Sequence, residues 1–265
     1  MRNPVAAGKF YSVEPEDLAK EVDAFISPVE EQISAIGAVV PHAGYMFSGE
    51  VAGEVYSSIQ FRETYIILGP NHTGGGERFS ALYQNWKIPT GIVNVDRDLL
   101  SAIMERTSLL KIDEKAHIFE HSIEVQLPFI KSISPNAFIV PIVIKNGTME
   151  EYQEVAKAIT GAIQDKNRDA MIIASSDMSH YETRQSAGKK DRIAIKEIEK
   201  LDPEGLLNVV EQNSISMCGC VPAAVMLMCS KIMGAKQSKV IRYTDSGEVT
   251  DDDTSVVGYA GIVVY

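Results

Sequence analysis

Three short apolar runs rich in β-branched residues each lead into a histidine within six positions. They read Ile36-Gly37-Ala38-Val39-Val40-Pro41-His42, Tyr65-Ile66-Ile67-Leu68-Gly69-Pro70-Asn71-His72, and Met171-Ile172-Ile173-Ala174-Ser175-Ser176-Asp177-Met178-Ser179-His180. Continuous apolar runs bounded by Gly, Pro or Ser are the mark of strands buried on both faces, as in parallel sheets covered by helices. Polar groups just beyond the carboxyl ends of such strands line the crevice where open α/β sheets hold their ligands. The chain has five histidines, and three of them fall in this kind of position. The pattern predicts an imidazole-lined site, most economically a metal site.

Helical and strand-like patterns alternate along all 265 residues, with no repeat, low-complexity tract or linker between them. Ser12 to Val29 opens with a capping serine and early acids, then sets Leu18, Val22, Phe25 and Ile26 on one face. Further helices are predicted over 49–59, 96–107, 120–132, 149–165, 189–200, 203–213 and 222–233. Strands are predicted to end at His42 and Leu68 and to run over 137–144, 170–175, 238–244 and 255–265. Two extended runs, 79–83 and 86–89, are placed as a hairpin. This alternation predicts one α/β domain over residues 1–265, a three-layer α/β/α arrangement around a mixed, largely parallel sheet.

Charge narrows the partners. The chain carries 25 basic and 36 acidic residues, a net charge of −11. Its densest basic stretch, Lys189-Lys190-Asp191-Arg192, is short and interrupted by acid. Nucleic acid is therefore not expected, because phosphate binding needs clustered positive charge. The longest apolar run, Val221 to Cys229, falls far short of the roughly 18–20 residues that span a bilayer, so no membrane partner is expected. Met1 to Gly8 lacks the apolar stretch of a secretory leader. The three cysteines, Cys218, Cys220 and Cys229, are odd in number and clustered, which argues against a disulfide framework. A cytoplasmic protein is the expectation.

Five constellations can carry chemistry. In Pro41-His42-Ala43-Gly44-Tyr45, Gly44 allows a sharp turn that leaves the imidazole at the sheet edge. Gly69-Pro70-Asn71-His72-Thr73-Gly74-Gly75-Gly76 has a glycine-rich turn but neither nucleotide-loop order, so phosphate binding is discounted. In Cys218-Gly219-Cys220-Val221-Pro222 the proline suits a first helical turn, which sets the thiols at a helix amino end where thiolate is favoured. Cys218 and Cys220 are the live pair, and Cys229 reads as core. Asp177 and His180, three apart after a strand, suit a ligand or an acid/base pair. On the predicted 120–132 helix, His121 and Glu124 share a face that borders the site. His117 reads as a solvated helix start, and Asp245-Ser246-Gly247-Glu248 and Asp251-Asp252-Asp253 as solvated acidic turns.

At these residues the chain resembles the Memo-like family. The matching pieces are Pro4–Tyr11, Pro41–Tyr45, Leu68–His72, Glu120–Pro128, Ser175–His180, Met217–Gly219 and Ser255–Ala260, which run in family order from end to end. The family is similar in fold to class III extradiol (LigB-type) dioxygenases, which hold Fe(II) with two histidines and a carboxylate. By resemblance the metal ligands here are His42, His72 and Cys218. Asp177 and His180 are the catalytic pair, and Tyr45, Asn71, His121 and Glu124 line or support the pocket. A cysteine in place of the carboxylate keeps one negative charge but exchanges hard oxygen for soft sulfur. The implied cofactor is iron(II) or copper, with zinc as a third option. Three functions follow: a dioxygenase-like redox enzyme, a non-catalytic binder of a peptide or small molecule, and a zinc-dependent hydrolase. The family's eukaryotic members point to phosphotyrosine-peptide binding for the second. Oligomeric state is not written in these residues.

Overall fold

In the computed structural model, which describes all 265 residues, an eleven-stranded sheet runs through the chain from Gly37 to Val264. Its strands are β1 (Gly37–Val40), β2 (Thr64–Pro70), β3 (Phe79–Ala81), β4 (Trp86–Ile88), β5 (Gly91–Val95) and β6 (Leu110–Ile112). They continue with β7 (Phe138–Ile144), β8 (Ala170–Ser175), β9 (His180–Glu182), β10 (Ser238–Asp245) and β11 (Val256–Val264). The helices are α1 (Pro15–Phe25), α2 (Tyr45–Ser58), α3 (Arg97–Arg106), α4 (Leu127–Ile133) and α5 (Met149–Lys166). After them come α6 (Arg184–Glu199), α7 (Pro203–Gln212), α8 (Cys220–Ile232) and the single turn α9 (Gly247–Thr250).

The four central strands, β1-β8-β2-β7, are parallel neighbours. Every residue of β1, β2 and β8 is buried, as their unbroken apolar sequences require. Antiparallel β11 and β10 extend the sheet beyond β1, and β3 with β6 extends it beyond β7. Helices α3, α5, α7 and α8 pack together on one face, with α6 against α7 and β11. On the other face lie α1, α2 and α4. This is the expected three-layer α/β fold with a mixed sheet. Parallel order is confined largely to its middle. A continuous core of buried side chains reaches from Ala6 to Val264.

Several local expectations are corrected. Residues 79–83 and 86–89 do not pair with each other. Both edges of β3 are taken, by β6 and β7, while β4 turns through Pro89-Thr90 onto β5. Gly91, at φ +138, makes that two-residue turn possible. The predicted 120–132 helix forms only from residue 124, as a 3₁₀ turn over Glu124–Gln126 leading into α4. Before it, the Glu120 carboxylate takes the amides of His72 and Ser122 and fixes a non-helical turn. Helix α2 starts at Tyr45 rather than Gly49, with the Tyr45 amide donating to the Phe10 carbonyl. Helix α6 starts at Arg184 rather than Lys189, capped by the Thr183 hydroxyl. No helix is long and apolar enough to cross a membrane.

Candidate metal centre

Strands β1, β8 and β2 lie side by side and point the same way, so the segments leaving their carboxyl ends meet at one sheet edge. The strands that carry His42 and His72 are not direct neighbours, because β8 runs between them. Its own extension, residues 176–180, therefore enters the middle of the site.

His42 is buried, and hydrogen bonds fix its ring. Ser175 Oγ donates to the Ser122 carbonyl (2.7 Å) and accepts from Gln126 Nε2 (2.8 Å). With its proton already used, Ser175 must accept from the His42 ring nitrogen that lies 2.9 Å away, which puts the imidazole proton on Nδ1. The lone pair on Nε2 is then free, and it lies 3.3 Å from Cys218 Sγ. Gln126 is held in turn by Tyr56, whose hydroxyl donates to Gln126 Oε1 at 2.9 Å. Burial, then the charge of His72, pushes the His42 imidazole down to about 3, so it is neutral at pH 7 and able to ligate.

His72 is oriented by Glu120. The carboxylate meets His72 Nδ1 at 2.9 Å and takes the His72 amide at 2.7 Å. Burial raises the Glu120 carboxyl, but the hydrogen bond and charge of His72, with the Ser122 and His72 amides, outweigh it and bring it down to about 2. The same carboxylate raises the His72 imidazole against the pull of burial. Nδ1 is thereby occupied and Nε2 left free, an arrangement typical of a ligating histidine with its supporting carboxylate.

Cys218 arrives from the far side, two residues before α8. Gly219 makes this approach possible, since a Cβ there would stand 2.4 Å from the Ser175 carbonyl oxygen and 2.5 Å from Ser176 Cβ. One donor atom each from His42, His72 and Cys218 lies within 4.8 Å of the others. The expected lowering of the thiol by the helix amino end is corrected. Burial, then the Asp177 charge, pushes the Cys218 thiol far up, and burial also raises Cys220. Two imidazole nitrogens and a sulfur are the donor set of a soft or borderline transition-metal ion, and a cation among them would draw the buried thiol to thiolate.

The other proposed site residues divide. Asp177 is buried at the centre, where Oδ1 accepts from the His42 amide at 2.8 Å and its own amide donates to Cys218 Sγ at 3.3 Å. His180 is half-buried, with Nδ1 2.9 Å from the Ser216 carbonyl, and no hydrogen bond joins it to Asp177. His121 stacks between Phe10 and His72, with ring centroids 4.4 and 4.7 Å away, and is pushed down to about 4 by burial and then by His42. Asn71 shapes the glycine-rich turn, accepting from the Gly74 amide and donating to the Gly75 carbonyl.

Tyr45 and Glu124 do not line the pocket. Tyr45 is core, with its hydroxyl on the Val125 carbonyl and its ring 4.9 Å from Phe129. Glu124 is wholly buried and serves the amino-terminal segment: it pairs with Arg2 and accepts from Tyr11 and from the Val5 and Ala6 amides. His117 is likewise buried rather than solvated, with Nε2 3.2 Å from the Ser80 carbonyl. Asp245 is buried on Arg184 and the Gly247 amide, whereas Glu248 and Asp251–Asp253 are exposed as expected. Glu120, Ser175 and Gln126 were the residues that sequence reasoning left without a role. Glu120 and Gln126 flank His121 and Glu124 in one motif, and a carboxylate beside a pocket histidine was the available signal.

Comparisons with known proteins match nearly the whole chain. A family model described as Memo-like protein matches residues 2–263. A MEMO1 family protein of Methanosarcina barkeri is 39% identical over 266 residues, covering 100% of each chain. Another, from Aquifex aeolicus, is 41% identical over 268 residues, covering 99% of this chain and 98% of its own. Among solved structures, an uncharacterized protein of Escherichia coli K12 superposes with a TM-score of 0.53 at 10% identity, covering 86% of this chain and 98% of that one. That likeness bears on fold alone.

Proposed function

The chain belongs to the Memo-like family, and from that premise we infer that it is a metal-dependent redox protein acting on a small organic molecule. His42, His72 and Cys218 would hold one iron or copper ion. The reading rests on three donors within 4.8 Å whose two imidazoles are each turned by a fixed hydrogen bond at Nδ1. The similarity in fold to class III extradiol dioxygenases that the family resemblance implies supports it. Sulfur in place of the usual carboxylate favours copper or thiolate-bound iron over a hard ion.

A bound iron or copper ion supplies Lewis acidity and one-electron chemistry at this point. The remaining work falls to the chain. Ser175 and Glu120 hold the two rings in the tautomers that leave Nε2 available. Asp177, whose carboxyl is raised by burial, stands beside the donors as the group that exchanges a proton with the bound molecule. His180, with Nδ1 committed to Ser216 and its other nitrogen free, exchanges protons between pocket and solvent. Phe10 and His121 close one wall against water.

Elemental analysis of protein purified anaerobically tests this reading. Near-stoichiometric iron or copper is expected in the wild type and a loss of it in His42→Ala, His72→Ala and Cys218→Ser. Metal-free wild type that also refuses Fe(II) and Cu(I) on loading would overturn it. If metal is held but no dioxygen is consumed with small phenolic acids, a binding role in place of catalysis follows.

A further inference from the structure

A cavity of about 420 Å³, in the size range of small-ligand sites, adjoins the metal cluster through Cys218. Pro70 and Asn71 from the end of β2, Lys145 from the end of β7, and Cys218 with Pro222 at the start of α8 line it. Cys218 is thus both a donor of the cluster and a wall of the cavity. Strands β2 and β7 are parallel neighbours with Pro70 opposite Ile144, which sets Lys145 beside the loop that carries His72.

The charges facing this cavity are unequal. Arg78 is charge-paired, its two terminal nitrogens donating to the two oxygens of Glu151 at 2.8 and 2.6 Å. Lys145 has no carboxylate within ion-pair distance. Its ammonium donates only to the carbonyls of Gly74 (2.7 Å) and Gly76 (2.6 Å). Three N–H groups and two acceptors leave one donor and a whole positive charge over. In a chain of net charge −11, an uncompensated ammonium beside the pocket marks where an anion is drawn in.

We propose that Lys145 is the specificity-determining residue of this site and receives the carboxylate of a small organic acid. The opposite end of that molecule then reaches the His42, His72 and Cys218 cluster. A single ammonium with one spare donor balances a monoanionic carboxylate, whereas a phosphate dianion calls for a second cation, and the charge of Arg78 is already paired with Glu151. The proposal rests on the metal-centre reading for what happens at the far end, but the anion preference belongs to Lys145 itself.

Calorimetric titration of metal-free full-length protein separates the two. The probes are benzoate and 3,4-dihydroxybenzoate, their uncharged counterparts benzyl alcohol and catechol, and phenyl phosphate. The acids should bind roughly tenfold more tightly than the alcohols, the effect of one charge-assisted hydrogen bond. That preference should vanish in Lys145→Gln and persist in Lys145→Arg. Metal uptake by both variants, measured in parallel, shows whether the His72 loop has kept its shape. Failure of either acid to bind, equal binding of acids and alcohols, a preference that survives Lys145→Gln, or tighter phenyl phosphate than benzoate overturns the proposal. Failure of the wild type to take up metal would remove the redox reading and leave the anion result standing.

Discussion

At the scale of single residues, the site is a set of rings and a thiol whose positions are decided by partners one bond further out. Ser175 is the sharpest case, because its proton is committed to Ser122 and its lone pair fixes the His42 tautomer. Ser175→Ala should therefore lower metal affinity by about 10–100-fold with the fold intact; a chelator-competition titration that finds affinity unchanged would contradict this. His117 gives a pH signature remote from the donors. Burial pushes it from 6.5 down to about 4, so between those values the unfolded chain binds a proton that the folded chain does not. Its contribution is complete above pH 6.5 and is lost as pH falls through that window. His117→Gln should flatten the acid side of the stability curve by up to about 1.4 kcal/mol per pH unit, read from urea midpoints between pH 6.5 and 4. The donors themselves were legible, since each stands just past an apolar run or just ahead of a proline-started helix. His117, Tyr45 and Glu124 were not, because spacing reveals which residues are near in sequence but not which polar group a distant segment will bury against them.

At the scale of elements, apolar runs with both faces hidden gave β1, β2, β7 and β8 their places, and the capping chemistry of Thr148 and Glu151 set the start of α5. Errors collected where backbone groups are claimed by distant partners. Residues 120–123 look helical by pattern, yet the Glu120 carboxylate holds them in a turn. The pairing of β3 with β6 and β7 depends on segments about thirty and about sixty residues away, which periodicity cannot show. The approach of α8 to β8 is the element-level feature the site depends on most. Gly219→Ala would drive a methyl group into the Ser175 carbonyl, and neither backbone can yield cheaply. The variant should remain folded, lose about 1–3 kcal/mol of stability, and lose metal binding far more than that figure suggests, because Cys218 shifts away from the imidazoles. Retention of wild-type metal affinity would show that the close approach does not position the thiol.

At the scale of the whole molecule, distant segments are drawn to one edge of the sheet and then held there by the amino terminus. Arg2 pairs with buried Glu124, donates to the carbonyls of His117 and Glu120, and lies 3.9 Å over the Trp86 ring. Arg2→Met leaves the Glu124 carboxylate buried without its cation, which should cost about 3–5 kcal/mol. Hydrogen exchange should rise across residues 117–124, the stretch that orients His72; unchanged protection there would remove the strap from the account. The most direct test of the whole scheme is X-ray absorption at the metal edge of zinc-loaded protein. One sulfur at about 2.3 Å with two imidazole nitrogens at about 2.0 Å is predicted, and the sulfur should disappear in Cys218→Ser. A wild-type spectrum of oxygen and nitrogen scatterers alone would contradict it.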